Sequence, residues 1–227
     1  MRSNGKHPLI IPKNVWALGI VSLLMDLSSE MILSILPIFL VTGLGVSVLT
    51  LGLIEGFAEG VASMIKAFSG ALSDYLKKRK ILVVIGYGLS TLTKPFFALA
   101  STATWIFAAR FVDRLGKGIR VAPRDSLIAD STSTKIRGTA YSLRQALDSL
   151  GALLGPIFAI IILYLTTNNF RLVLWFAVIP AVLCIVVLIF GVKESTLKKN
   201  ISRKKSYFLF KNFLKITPMF WLFFLTV

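Results

Sequence analysis

Cysteine and histidine are almost missing from this chain. One of each, Cys184 and His7, stands among 227 residues. A lone thiol inside an apolar run supports neither a disulfide framework nor a metal-thiolate cluster. A lone imidazole in an N-terminal tail removes the commonest general base. No nucleophile–base arrangement, phosphate loop or metal-ligand cluster stands elsewhere, so no enzyme activity, cofactor or metal is expected. Acid is scarce as well, ten residues against 26 basic ones, for a net charge of +16. Such a balance invites a nucleic-acid reading. It is rejected, because the bases cluster in connections facing one way. Long polar stretches are also rare. The longest runs from Lys193 to Thr217, so no soluble domain is expected.

What the chain has is apolar length. Hydrophobic residues make up 56% of it, with a mean hydropathy of +0.79. A helix crosses the hydrocarbon core with roughly 20 apolar residues. Six such spans are read at Val15–Leu40, Leu49–Leu72, Ile81–Leu99, Trp105–Leu127, Ala140–Leu165 and Arg171–Phe190. A seventh begins at Met219 and is cut at Val227. The absence of period-two alternation favours helices over a barrel. The first span is too long for a signal-peptide core and is expected to be retained.

The connections alternate. Arg2, Lys6 and Lys13 precede the first span, and Gly43 to Thr50 has no base. Lys77, Lys78, Arg79 and Lys80 follow, and Ala100 to Thr104 has none. Arg120, Arg124, Lys135 and Arg137 come next, then a turn with only Arg171. Eight bases from Lys193 to Lys215 close the series. Basic loops stay in the cytoplasm, so the N-terminus is assigned there. The organisation expected is a cytoplasmic tail at 1–14, six helices in a bilayer at 15–191, a basic cytoplasmic linker at 192–217 and a truncated seventh helix at 218–227. The linker contains a candidate amphipathic helix on the inner surface. The truncation makes the chain a fragment or a natural half.

Charges inside spans are costly and point to function. Here Lys66, Lys94, Arg110, Arg114, Lys117 and Arg144 are matched by Asp26, Glu30, Glu55, Glu59, Asp113 and Asp148. Equal numbers predict pairing. Ser22, Asp26, Glu30 and Ser34 share one helix face at four-residue steps. Glu55, Glu59, Ser63, Lys66 and Gly70 form a similar stripe, as do Arg110, Arg114 and Lys117 with Asp113 beside them. Arg144, Asp148, Gly151 and Gly155 align in the fifth helix. Helices one, two, four and five are therefore expected to line a polar interior, with three and six facing lipid. By depth, Asp26, Glu30, Glu59, Asp113, Arg114 and Asp148 fall near the middle. That layer is acid-rich, the composition of a proton relay or a cation site. Gly151 and Gly155 permit close helix approach. Pro156, Pro37 and Pro95 predict bends.

The run Gly70-Ala-Leu-Ser-Asp74-Tyr-Leu-Lys-Lys78-Arg79-Lys80 resembles the cytoplasmic loop motif of the major facilitator superfamily. It departs at Tyr75, where an arginine is common, and at Lys77, where a glycine is common. Arg110-Phe-Val-Asp113-Arg114-Leu-Gly116-Lys-Gly118 resembles the fourth-helix motif. Asp130 and Arg137-Gly138 resemble the ends of the following loop. Gly151-Ala-Leu-Leu-Gly155-Pro156 is similar to the fifth-helix motif associated with antiporters, but Ala159 and Ile160 stand where a glycine pair is expected. FVDRLGKGIRVAPRDSLIADS, with MDLSSEM in helix one, is similar to a bacterial subgroup.

The resemblance implies an all-α membrane protein. This chain would be one six-helix N-terminal half plus the start of a seventh transmembrane helix, with the C-terminal half missing. It also implies a bacterial inner membrane and a latch of Asp74, Lys78 and Asp130, with Arg79 and Arg137 beside it. The function expected is secondary transport of a small solute coupled to protons, as efflux or antiport. Protonation would loosen a pair such as Asp113–Arg114 or Asp148–Arg144. The alternatives are uptake of an anionic solute through Arg110, Arg114 and Lys117, or a non-transporting half that acts as a scaffold. The partners expected are lipid, solute and protons, and no nucleic acid.

Overall fold

The computed structural model describes residues 11–76 and 78–194. Most of the expected linker and the start of a seventh span therefore lie outside the described residues. The described residues form helices and no strand: α1 (Lys13–Ile38), α2 (Val48–Leu76), α3 (Arg79–Leu99), α4 (Ala103–Ser131), α5 (Arg137–Leu165), α6 (Phe170–Phe176) and α7 (Val178–Gly191). Helices satisfy their own backbone groups, which is what a chain with so little polar surface requires in lipid.

The ends follow local chemistry. Pro12 has no N–H to leave unpaired and sits just outside α1, where its carbonyl accepts from Val15 N at 2.9 Å. Pro37 withholds a donor near the other end, and the helix loosens into a wider π-type turn over Phe39–Gly43. Gly45, at φ +65°, then reverses the chain. The Thr102 hydroxyl caps α4 by accepting from Trp105 N at 3.4 Å.

The sixth span, expected as one helix, is broken at Ala177 between α6 and α7. Pro180 has no N–H for the carbonyl one turn earlier. Next to that freed carbonyl, Ser28 of α1 donates to the Ala177 carbonyl at 2.6 Å. The helices run through Pro95 and Pro156 without ending.

Five spans are long and apolar enough to cross a membrane. The exception is α4, which is 29 residues long but heavily charged. The bundle hides that charge. Lys94, Arg110, Asp113, Arg114, Arg120 and Arg124 are buried, while Leu53, Phe57, Leu92, Leu99, Leu165 and Phe190 are exposed. Charge inside and hydrocarbon outside is the arrangement of an integral multi-pass membrane protein.

Two apolar clusters close the ends. One gathers Leu36, Phe39, Phe97, Ile106 and Val173 near the uncharged connections. The other gathers Val15, Val83, Leu127, Ala140 and Leu188 near the basic ones.

Glycines set the spacing between helices. A Cβ on Gly116 would lie 2.6 Å from the Gly86 carbonyl oxygen, so α3 and α4 touch through backbone. A Cβ on Gly151 would lie 2.5 Å from the Leu23 carbonyl oxygen, and one on Gly155 2.6 Å from Glu30 Cβ, which locks α5 onto α1. The expectation that helix three only faces lipid needs correction. One face of α3 is lipid-like, with Ile81, Ile85, Leu92 and Phe96 exposed, but Tyr87, Ser90 and Lys94 are buried against α4.

Candidate functional site

α4 is the polar spine. Its bases recur every three or four residues, so they share one side of the helix, and α2, α1 and α3 pack around that side. Arg110 donates to Glu55 with Nε at 2.7 Å and Nη2 at 2.6 Å, a two-pronged grip. Its Nη1 lies 3.7 Å from Asp113, which accepts from Lys94 Nζ at 3.2 Å. Lys94 also donates to Ser29 at 3.0 Å. Arg114 meets Glu59 at 3.1 Å and Glu55 at 3.7 Å, and Lys117 lies 3.9 Å from Glu59. The chain of pairs grows wetter along its length. The Lys94 and Asp113 side chains are 2% and 5% exposed, while that of Glu59 is 51% exposed.

Most of the equal numbers thus become contacts, though not always the ones expected. Asp113 does not pair with Arg114, because adjacent helical residues point about 100° apart. Asp148 does meet Arg144, at 2.6 Å within α5. Asp26 and Glu30 make no hydrogen bond or ion pair among the described residues. Lys66 is exposed.

Arg120 and Arg124 fall inside the expected fourth span as well as being counted with the basic connections. The helix runs on to Ser131 and buries both, so they are not loop charges. Arg120 donates to the Ser90 hydroxyl and lies over the Tyr87 ring, 4.5 Å from its centroid. Arg124 donates to Ser22 at 2.8 Å, Tyr87 at 3.4 Å and Asp125 at 3.2 Å. The signal was present, since the three-to-four step from Arg110 runs unbroken through Arg124.

At the basic end, Arg79 rather than Lys78 joins the two acids of the latch. It donates to Asp74 at 3.0 Å, to Asp130, and to the Ser126 carbonyl at 3.0 Å. The register follows from the helix start. Lys78 is the exposed cap of α3, and Arg79 is its first helical residue. Arg137 donates to the Ala129 carbonyl at 3.2 Å. Glu194, a residue not singled out, accepts from the backbone N–H groups of Arg79 and Lys80 at 3.1 and 2.9 Å and so caps α3. Among the described residues no group of His, Cys, Asp or Glu is arranged to hold a metal ion.

Known proteins resemble this chain in sequence and in fold. An uncharacterized MFS-type transporter of Methanocaldococcus jannaschii is 35% identical over 202 residues, covering 88% of this chain and 50% of that protein. The multidrug resistance protein MdtH of Photorhabdus laumondii is 30% identical over 174 residues, 77% of this chain and 40% of that protein. The chain therefore spans about half the length of the curated relatives it matches. Among solved structures, a POT family transporter in complex with a thioalcohol-conjugated peptide superposes with a TM-score of 0.72 at 18% identity, over 95% of this chain and 47% of that one. The human organic anion transporter MFSD10 gives 0.68 at 20% identity, over 81% and 48%. These likenesses speak for the fold. The sequence profile described as Major Facilitator Superfamily matches residues 18–227, nearly the whole described bundle and beyond, and the chain belongs to that family.

Proposed function

We infer that this chain is the first of two halves of a secondary transporter for small solutes, working as an efflux or antiport system coupled to protons. The observation that carries the reading is the graded chain of ion pairs. It begins at a dry pair, Lys94–Asp113, and ends at Glu59, which is half exposed and touches Arg114 and Lys117. A proton delivered to an accessible carboxylate cancels one charge of a pair, and its arginine must then find another partner. Glu55 and Glu59 are the entry points, with Asp26, Glu30 and Asp148 as further carriers. Movement of α4 against α2 would follow. The efflux direction draws on the multidrug resistance proteins that the chain resembles.

The missing partner is a second helical half. α2 and α5 are the least covered of the five apolar spans. Nothing lies within 4 Å of a Cβ placed on Gly52, Gly56 or Gly60, so α2 presents a stripe that admits another helix closely. We place the assembly in a bacterial inner membrane with the Arg79 face in the cytoplasm.

Two measurements test this. The mass of the native membrane product comes first. About twice 25.0 kDa supports a two-half transporter, and a product near 25 kDa that neither dimerises nor pairs with a separate second half leaves only the scaffold alternative. Proteoliposomes of the full-length protein loaded with a pH dye and given ethidium as a cationic probe come second. Coupled proton movement that is lost in Glu59→Gln supports the reading. A rate unaffected by pH, or coupling unchanged in both Glu59→Gln and Asp26→Asn, overturns it. Uptake of an anion through Arg110, Arg114 and Lys117 is the weaker reading, because all three are already engaged by Glu55 and Glu59.

A further inference from the structure

We propose that Arg120 and Arg124 form an oxyanion site, taking a carboxylate or phosphate group, in the half of the bundle nearer the basic connections. Both side chains are buried, 5% and 7% exposed. A buried charge needs an opposite charge or a full set of acceptors. Among the described residues Arg120 directly touches only the Ser90 hydroxyl and the face of Tyr87, while Asp113 and Asp26 act on it from farther away. Arg124 has two hydroxyls and the carboxylate of its own neighbour, Asp125. Hydroxyls take up N–H donors but cancel no charge.

The two guanidinium groups meet around one ring. Arg120 lies over the face of Tyr87, and Arg124 reaches its hydroxyl, which is 3.2 Å from the Ser22 hydroxyl. Two planar forks at one tyrosine suit an oxyanion better than a point cation would. Asp26 stands one helical turn above Ser22. Among the described residues it makes no hydrogen bond or ion pair, and it feels Asp148, Arg120, Arg124 and Lys117 electrostatically. Asp26 therefore competes with the anion for the same positive charge.

The site can take the anionic group of a transported solute or a lipid phosphate. Only the first source rests on the transport reading, and binding is measured without transport. The test uses the full-length protein in phosphatidylcholine nanodiscs, titrated with inorganic phosphate at constant ionic strength, with thermal midpoint and tryptophan fluorescence as readouts. A saturable rise in midpoint is expected. Affinity should fall at least tenfold in Arg120→Gln and Arg124→Gln, and should survive in Arg171→Gln, which is exposed in the first turn of α6. Asp26→Asn should tighten binding severalfold. Arg120→Lys keeps the charge but not the fork. If Arg120→Gln does not fold, Arg120→Lys should still bind at reduced affinity. No saturable phosphate effect, an effect equal in wild type and the folded variants, or weaker binding in Asp26→Asn overturns the proposal. Adding phosphatidylglycerol separates the sources. A suppressed phosphate shift assigns the site to a lipid headgroup, and an unchanged one to a soluble anion.

Discussion

Two stretches of α4 carry bases at the same spacing and treat them differently. From Arg110 to Lys117 every base meets a carboxylate on another turn or another helix. From Arg120 to Arg124 the contacts are hydroxyls, an aromatic face and one neighbouring acid. The first stretch is an electrostatic lock, stable while both signs are present. The second holds its charge in reserve, available to whatever anion arrives. One helix thus combines a part that sets the resting geometry and a part that answers to a ligand.

The comparison is broken most severely at Asp113. Asp113→Asn leaves Lys94 with Ser29 as its remaining partner and takes a carboxylate from Arg110. Breaking a buried pair costs about 3–5 kcal/mol, so the purified protein should unfold at a much lower temperature. Lys94→Met on the same background should recover much of the loss. If Asp113→Asn unfolds no earlier than Tyr87→Phe, the lock is not where the geometry puts it.

Gly116 lies where the two stretches join. Gly116→Val drives a side chain into the Gly86 backbone. Overpacking costs about 1–3 kcal/mol. Cysteine cross-linking between α3 and α4 should slow on both sides of residue 116; equal rates would show that α3 is not held there.

Tyr87→Phe sharpens the contrast. Arg120 keeps its ring contact, while Arg124 loses one hydroxyl and keeps Ser22 and Asp125. The loss should be about 1 kcal/mol, visible as a small fall in thermal midpoint. The smallest effect is expected at the membrane surface. Arg79→Gln should cost up to about 1 kcal/mol and Lys78→Gln close to none, since exposed pairs contribute little. Urea-free thermal scans of the two variants side by side would reverse this assignment if Lys78 proved the more sensitive.

Some of this was legible beforehand, and the reasons are physical. Hydrophobic length located α1, α2, α3, α5 and the α6–α7 pair, because crossing lipid leaves few alternatives to a helix. The charge stripes of the second and fourth helices survived as real contacts, since a shared face follows from helical period alone. The positive-inside rule, however, counts Arg120 and Arg124 with the basic connections although both fall within the fourth span. That rule weighs charge near span ends and is blind to a helix that carries its arginines inward. Pair identities were out of reach for another reason. Spacing puts Arg110 and Glu55 on facing stripes but does not set the vertical register between two helices. Gly118 sets that register by lying against the Ala62 backbone, as Gly116 and Gly86 do between α4 and α3, and no charge pattern reports it. The Ala177 carbonyl, at the break between α6 and α7, takes a hydrogen bond from Ser28, 149 residues away in sequence.

The ends of the bundle meet at one corner. The Asn14 side chain accepts from Lys193 N at 2.8 Å and donates to the Lys193 carbonyl at 3.1 Å, and it also reaches Ser131 at 2.8 Å. Next to it, Glu194 holds the first turn of α3. Like a rope tied off where it starts, the bundle has the end of α7 fastened to the foot of α1, the tip of α4 and the turn that carries Arg79.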